Sequence, residues 1–401
     1  MARKIIVIGT GYVGLPAALM WAKSGLKVVG VDINENVVRA INDRTLLLNE
    51  AELNTLLNDP DVQQNLIARS SPCEGDVFVI AVPTPVDALK KVADLSHVEA
   101  AVKSFIPFLR KGNLVILEST VPPMTCRRVI KPLIESMTSF KVPDDIQVSH
   151  CPERILPGDI FQEIVHNDRL IGGMDEASTQ TTMDVYRAFV KGALLATDDL
   201  TAELSKLMEN TYRDVNIALA NEFSIICDDL SVDVKQVISF ANRHPRVKIL
   251  SPGIGVGGHC IPVDPWFLKE VAPYSCRLIT MARLVNDEMP HRVASKIRKA
   301  VSHIGNARIV LLGATYKKNC EDMRESPATE IAHLLLADGY DVHHHDPMVP
   351  SMSYTSLAEV LKGAHLGVVL VGHSVILQEL QELSPAINAA MAESHIMILD
   401  A

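Results

Sequence analysis

Little in this 401-residue chain points to an extracellular or nucleic-acid-bound life. It has seven cysteines, Cys73, Cys126, Cys151, Cys227, Cys260, Cys276 and Cys320, an odd number with no CxxC pair. That excludes a disulfide framework and a zinc ribbon, and fits free thiols in a reducing compartment. Aromatics are scarce, with 9 Phe, 7 Tyr and 2 Trp, fewer than a protein reading bases by stacking needs. Positive charge is in deficit: 38 basic against 48 acidic residues give a formal net charge of −10. A polyanion bound over a large surface is therefore excluded, although a few placed Lys or Arg still suffice for a small anionic ligand. No apolar run approaches the roughly 18 residues of a membrane span. The apolar run before Gly9 is only about five residues long, too short for a signal-peptide core. A cytoplasmic protein without nucleic-acid or membrane partners is expected.

What the chain has is apolar material, 48% hydrophobic residues, enough for the two or three domains its length suggests. Residues 4–9 read as a short strand, 9–14 as a glycine turn, 13–24 as a helix and 27–32 as a second strand. The apolar runs 76–82, 113–118 and 146–149 fit buried strands of a parallel sheet, with helical patterns such as 98–109 between them. That alternation predicts a doubly wound α/β sheet. From about Thr197 strand signals stop, and 198–230 reads as one long helix capped by Thr197 or Asp198. More helix follows to about His303. A strand returns at 307–312, then helix 328–338, strand 340–344, helix 356–361, strand 366–371 and strand 396–399. The expected division is 1–196, 197–303 and 304–401, with the two α/β ends sharing one build.

Three features carry chemistry. Gly9-Thr10-Gly11-Tyr12-Val13-Gly14 is a dinucleotide turn between strand and helix. Gly9 permits the tight turn, Gly11 admits a pyrophosphate and Gly14 lets helix pack on strand, with the helix N-terminus facing the phosphates. Asp32 ends the second strand, where a carboxylate accepts from ribose hydroxyls and repels a 2′-phosphate, so NAD is expected over NADP. The second feature is the glycine-rich loop from Ser251 to Cys260, with Asp264 four residues on. It leaves Cys260 on a loop, where a thiol can become a nucleophile. A structural turn with an incidental cysteine would look the same. His259 beside it receives no role, since adjacent side chains point apart. The third is the long helix. At about 100° per residue, Lys206, Asn210 and Asn221 fall within a stripe of roughly 60°, with Glu203 and Arg213 at its edges. Leu204, Leu207, Met208, Val215, Leu219 and Phe223 lie opposite. The ordinary account is an amphipathic helix with a wet polar face. The functional account is a lysine and an amide aimed at an oxyanion.

Read together, the dinucleotide turn, Ala81-Val-Pro-Thr-Pro85, Glu118-Ser-Thr-Val121, Pro152-Glu153, Lys206-Leu-Met-Glu-Asn210, Gly257-Gly-His-Cys260 with Asp264, and Tyr316-Lys317 with Asp322-Met-Arg324-Glu-Ser326 resemble the UDP-glucose/GDP-mannose 6-dehydrogenase family. The resemblance implies two Rossmann-like doubly wound domains joined by a long central helix and a helical middle domain that forms a homodimer. It implies NAD on the first domain, a UDP-sugar on the last, and chemistry in the cleft between. By the same resemblance Cys260 is the nucleophile, Lys206 and Asn210 polarise the C6 oxygen, Glu153 serves hydrolysis, and Thr120 and Asp264 order water or relay protons. Cofactor contacts fall on Gly9, Gly11, Tyr12, Val13, Gly14, Asp32, Val82, Pro83, Thr84, Ser119, Thr120 and Arg324. Substrate contacts fall on Glu153, Arg154, Ile155, Lys206, Asn210, Gly257 and Lys317, with Arg246 reaching the partner subunit's site.

Two positions depart from the glucose-type pattern. Val263 stands where those enzymes carry Lys, and Pro157 where they carry an acidic residue. The pair PERILPG (residues 152–158) and GGHCIPVDPWFL (257–268) looks like the UDP-N-acetyl-mannosamine dehydrogenase branch. The N-acetylglucosamine branch usually has Gly and paired tyrosines where this chain has Pro262 and Trp266-Phe267. A smaller Val263 and a changed loop at 154–157 leave room for an acetamido group. UDP-N-acetyl-glucosamine and UDP-glucose are the other substrates weighed, and a non-catalytic nucleotide-sugar-binding module is the reading from another class. His343-His344-His345-Asp346 closes a strand and no metal is expected there, nor does the chain have the ligand spacing of a zinc alcohol dehydrogenase. Family chains often run on past the strand that here ends in Asp400-Ala401, which leaves open whether the C-terminus is trimmed.

Overall fold

Five strands near the start, β1 (Lys4–Ile8), β2 (Lys27–Val31), β4 (Val77–Ile80), β5 (Leu114–Leu117) and β6 (Gln147–His150), fall where the sequence places them in the computed structural model. Three more complete the sheet: β3 (Leu66–Arg69), β7 (Arg169–Gly173) and β8 (Leu194–Asp198). The structure describes residues 3–45, 51–87, 89–154, 160–354, 356–393 and 395–399. Ile155 and Pro157, and Asp400 with Ala401, lie outside the described residues. The chain divides into two units, Met1–Glu209 with Trp266–Pro273, and Asn210–Pro265 with Tyr274–Ala401.

In the first unit the strand order is β3-β2-β1-β4-β5-β6-β7-β8. Both faces are covered. Ile5 and Val7 point into one apolar cluster with the helix α1 (Gly14–Lys23), and Ile6 and Ile8 into another with Phe78, Ile80 and Phe105. Burial on both faces is why these strands read as continuous apolar runs. The chain order reverses between β1 and β4, which in an open α/β sheet is where a ligand site forms at the carboxyl ends. The wholly parallel expectation needs one correction: β7 runs antiparallel to β6, while every other neighbouring pair is parallel. The helix α2 (Glu176–Tyr186) follows β7. The edge strand β3 alternates buried and exposed residues, and much of β8 is exposed, so neither produces an unbroken apolar run.

The long helix α3 (Asp199–Asp229) matches the predicted one within a residue at each end. Of the two candidate caps, Asp198 is the one in use: it accepts from the N–H of Leu200 and Thr201, both at 3.1 Å. The wet-face expectation is overturned. Glu203, Asn210, Asp214 and Asn221 are buried, whereas Met208, Tyr212, Leu219 and Ile226 are exposed. In the second unit the buried side chains find partners on the helix α5 (Arg277–Ala300), which follows α4 (Asp264–Val271). Asp214 accepts from the buried Arg283 guanidinium, and Asn286 Nδ2 donates to Asp214 Oδ1 at 2.8 Å. Asn221 Nδ2 donates to Asn286 Oδ1 at 2.9 Å, and Asn221 Oδ1 accepts from Gly253 N at 2.8 Å. Most of the polar stripe is a buried hydrogen-bonded seam, with Arg213 exposed, whereas of the opposite stripe Met208 and Leu219 are exposed and Leu207 is buried.

The second unit's sheet has the order β10-β9-β11-β12, all parallel, from β9 (Arg308–Leu312), β10 (Asp341–His345), β11 (Leu366–Val369) and β12 (Ile396–Ile398). Its first three strands repeat the β2-β1-β4 arrangement of the first unit. The helix α6 (Pro327–Ala337) packs on it, capped by Ser326.

Candidate active site

At the end of β1 the dinucleotide turn has the geometry its glycines demand. Gly9 has φ +91°. A Cβ on Gly14 would run into the Gly9 carbonyl oxygen and stand 3.0 Å from Ala81 Cβ, so helix and strand touch there. Gly11 is different: no atom lies within 4 Å of its would-be Cβ. The turn is thus packed from behind and open in front, ahead of the N-terminus of α1, which fits a bound pyrophosphate. Asp32 Oδ2 accepts from Thr10 N at 3.0 Å and Thr10 Oγ1 at 3.1 Å, and Oδ1 from Asn34 N at 3.0 Å. The carboxylate is thereby fixed beside the turn. Tyr12 packs against the core, and Val13 precedes α1 without a side-chain cap.

The loops after β4 and β5 are tied together at the same end of the sheet. Ser119 Oγ donates to Val82 O at 2.7 Å, and Thr84 Oγ1 to Thr120 O at 2.5 Å. Pro83 is exposed between them. Glu203 anchors the next stretch, its oxygens accepting from Met124 N at 2.6 Å and Cys126 N at 2.9 Å. Burial pushes the Glu203 carboxyl up to about 7. Glu153, just past β6, is buried. Its Oε1 accepts from Arg154 N at 2.7 Å and its Oε2 from Arg169 Nη2 at 2.6 Å. Arg154 pairs with Glu209 of α3 at 2.7 Å. Lys206 is half-buried on α3. Its charge adds to the burial that drives the imidazole of His150 down to about 3, so His150 is neutral.

In the second unit Cys260 is exposed on its loop, and Asp264 begins α4 directly after it. Val263 N and Asp264 N both donate to the Cys260 carbonyl, at 3.1 and 2.9 Å, folding the loop into the helix start. Asp264, 3% exposed, accepts from Asn210 Nδ2 at 2.6 Å. Two residues 54 positions apart in sequence thus meet beside the cysteine loop, and Asn210 sits one helical turn beyond Lys206. The glycines before Cys260 have a packing reason: a Cβ on Gly257 would stand 2.6 Å from the Glu325 carbonyl, and one on Gly258 2.9 Å from the Tyr316 ring. Gly258 N donates to Arg324 O at 3.2 Å. The Arg324 side chain forms a two-pronged contact with Asp322, at 2.7 to 3.1 Å, and lies within electrostatic range of Cys260 and His259. Burial and Arg324 together lower the imidazole of His259. Lys317 and Arg246 are exposed.

Sequence reasoning missed what holds the Lys317 loop. Asp346 Oδ2 accepts from Ala314 N at 2.6 Å and from His373 Nε2 at 2.9 Å, and His373 Nδ1 accepts from Asn319 N at 2.8 Å. Burial works against ionisation of Asp346, but His373 and the backbone donors hold its carboxyl below the ordinary range. It missed Arg169 as well, because a lone arginine opening a strand carries no local signal. Among the described residues no cluster of three or more His, Cys, Asp or Glu could hold a metal, and no helix is long and apolar enough to cross a membrane.

Family models match most of the chain: the NAD binding domain of the UDP-glucose/GDP-mannose dehydrogenase family over residues 3–190, its central domain over 200–288 and its UDP binding domain over 310–400. The chain belongs to this family. It is an NAD-dependent nucleotide-sugar dehydrogenase, and the turn at Gly9–Gly14 with Asp32 lies in its NAD-binding domain. A UDP-N-acetyl-D-mannosamine dehydrogenase of Methanococcus maripaludis is 45% identical over 380 residues, covering 93% of this chain and 87% of that one. An NDP-N-acetyl-D-galactosaminuronic acid dehydrogenase of Ralstonia solanacearum is 46% identical over 340 residues, covering 83% and 80%. Among solved structures, the UDP-D-ManNAc dehydrogenase of Pyrococcus horikoshii superposes with a TM-score of 0.92 at 38% identity, covering 98% and 94%.

Proposed function

We propose that this dehydrogenase oxidises the C6 hydroxyl of UDP-N-acetyl-mannosamine to a carboxylate in two steps, with the sugar held on Cys260 between oxidation and hydrolysis. The observation that carries the reading is Cys260 exposed at the end of a glycine-rich loop, with the buried Asn210–Asp264 pair beside that loop. Bound NAD supplies the acceptor for each hydride, one molecule per oxidation. Its contacts fall on the Gly9–Gly14 turn, Asp32, the loops at Val82–Thr84 and Ser119–Thr120, and Arg324. The first oxidation leaves an aldehyde, which is a poor hydride donor. The Cys260 thiolate adds to its carbon and makes a thiohemiacetal, whose oxyanion expels the second hydride and leaves a thioester. Lys206 and Asn210 donate to that oxygen, and loss of one such donor costs on the order of 10²–10³ in rate. Water then attacks the thioester, Glu153 takes its proton, Asp264 and Thr120 order it, and the thiolate leaves.

The N-acetyl-mannosamine substrate is supported by the relatives' names and by the PERILPG and GGHCIPVDPWFL segments. Arg154, Ile155, Gly257 and Lys317 contact the sugar nucleotide. A second reading, an N-acetyl-galactosamine-type substrate, is favoured by the Ralstonia relatives and by a Methanosarcina mazei structure of the same name. The working division is 1–196 for NAD, 197–303 for the dimer and 304–401 for UDP. The homodimer forms on the exposed apolar stripe of α3, Met208, Tyr212, Leu219 and Ile226, with Leu278, Met281 and Leu284 of α5, and Arg246 completes the partner subunit's site. The compartment is the cytoplasm. NADH formation with a panel of UDP-sugars tests the substrate, and intact-mass spectrometry of Cys260→Ser with substrate and NAD tests the chemistry. The serine ester hydrolyses far more slowly than the thioester, so an acyl adduct accumulates. No adduct, together with normal product from Cys260→Ala, overturns it.

A further inference from the structure

Among the described residues the large sheet has one antiparallel pairing, β6 with β7, and it has a local consequence. β6 and β7 pair Ser149 with Gly173 and His150 with Gly172. Continued three residues past His150, that register sets Glu153 opposite Arg169. A parallel β7 would have brought its other end there. Arg169 is 5% exposed and reaches Glu153 Oε2 at 2.6 Å through Nη2, while Nη1 lies 3.4 Å from Glu118 Oε1 and 3.8 Å from Cys151 Sγ. Its guanidinium stacks 4.7 Å from the Tyr186 ring centre and 6.0 Å from that of Phe189, rings packed against Trp21. The fork therefore has little freedom, and neither does the carboxylate it grips, whose other oxygen is held by Arg154 N.

Two buried carboxyls face one guanidinium, one negative charge too many for a buried site. Burial pushes Glu118 up to about 7, Glu153 pushes it the same way, and Arg169 and the Tyr186 hydroxyl work against them. Glu118 Oε2 has no hydrogen-bond partner. The raised Glu118 carboxyl lessens the surplus near neutral pH, and Arg169 makes its shorter contact, 2.6 Å against 3.4 Å, with Glu153.

We propose that Arg169 is the positioning residue of the hydrolytic half-reaction: it fixes Glu153 as an oriented carboxylate able to take the proton of the water that attacks the Cys260 acyl group. This rests on the thioester reading above. Arg169 is assigned no contact with substrate or cofactor and acts through Glu153.

The test uses the full-length enzyme with NAD and its UDP-sugar, a rapid-quench NADH burst and intact-mass detection of an acyl group on Cys260. Arg169→Met keeps a burst of two NADH per site, but turnover falls on the order of 10²-fold, the lower end of what a general base contributes, and the Cys260 adduct accumulates. Arg169→Lys retains charge without the fork, restores roughly a tenth of normal turnover and leaves a smaller adduct. Glu153→Gln is the reference and accumulates adduct. Loss of the burst in step with turnover in a folded Arg169→Met protein overturns the proposal, because a merely structural arginine slows both halves alike. Where Arg169→Met does not fold, Arg169→Lys decides: normal turnover without adduct overturns the proposal, and slowed turnover with adduct supports it. If Glu153→Gln forms adduct and neither Arg169 variant does, only the role of Arg169 falls. If Glu153→Gln turns over normally and forms none, the thioester reading falls and takes this one with it.

Discussion

Replacing Gly11 and Gly14 by alanine, one at a time, should separate binding from folding within six residues. At Gly14 the new methyl meets the Gly9 carbonyl, with Ala81 Cβ at 3.0 Å and Val7 Cγ1 at 3.1 Å. A backbone carbonyl in a tight turn cannot swing aside as a flexible side chain does, so helix α1 must lift from β1. Overpacking of this kind costs about 1–3 kcal/mol. For a domain of 150–250 residues each kcal/mol lowers the melting temperature by about 2–4 °C, so Gly14→Ala should melt roughly 2–12 °C early without cofactor. At Gly11 nothing lies within 4 Å, and its φ is not among the positive ones. The apo protein should melt within about 0.5 kcal/mol of wild type, as an exposed substitution does. The same methyl then stands where the pyrophosphate must approach, and NAD affinity should fall roughly tenfold to a hundredfold. Circular-dichroism melts without NAD and calorimetric titration with it read the two effects. A Gly11→Ala protein that melts as early as Gly14→Ala, or binds NAD at wild-type affinity, would refute this account of the turn.

Other outcomes follow from single contacts. Asp32→Ser removes the charge that repels a 2′-phosphate, and the preference for NAD over NADP should narrow by at least about tenfold, or 1.4 kcal/mol; unchanged selectivity in initial rates with both cofactors rules this out. Burial raises the Glu118 carboxyl from 4.5 to about 7, so the folded chain holds that proton more tightly than the unfolded one. The associated stability is complete below 4.5 and lost as pH rises through about 7. Glu203 has the same sign. Denaturant midpoints should therefore decline as pH rises from about 4.5 to about 7, with a shallower slope in Glu118→Gln, and an unaltered slope in that variant is the contrary result. His373→Ala strips the buried Asp346 of a donor, about 1.5–3 kcal/mol for a bond to a charged group, and loosens the loop of Lys317. KM for the UDP-sugar should rise several-fold with NAD affinity unchanged, and an unaffected KM would show that the loop does not depend on this pair.

Much of this molecule is written locally. A strand buried on both faces is mostly apolar, so β1, β2, β4 and β5 could be placed from their residues, and β6, with its polar Ser149 and His150, only from the short run 146–149. A turn that admits a phosphate must be glycine, so Gly9, Gly11 and Gly14 announce themselves. A helix of 31 residues needs a sustained pattern, and α3 has one. The faces of that helix were another matter. Asp214 and Asn221 are hydrophilic in isolation, and only Arg283, Asn286 and Gly253 arriving from distant sequence make their burial tolerable. The same holds for Asn210 against Asp264 and for His373 against Asp346. The direction of β7 was hidden too, because a strand's composition does not encode which way it runs. That direction sets Arg169 opposite Glu153. Periodicity and backbone freedom are properties of neighbours in sequence, while the pairing of buried charge depends on which distant segments the fold brings together.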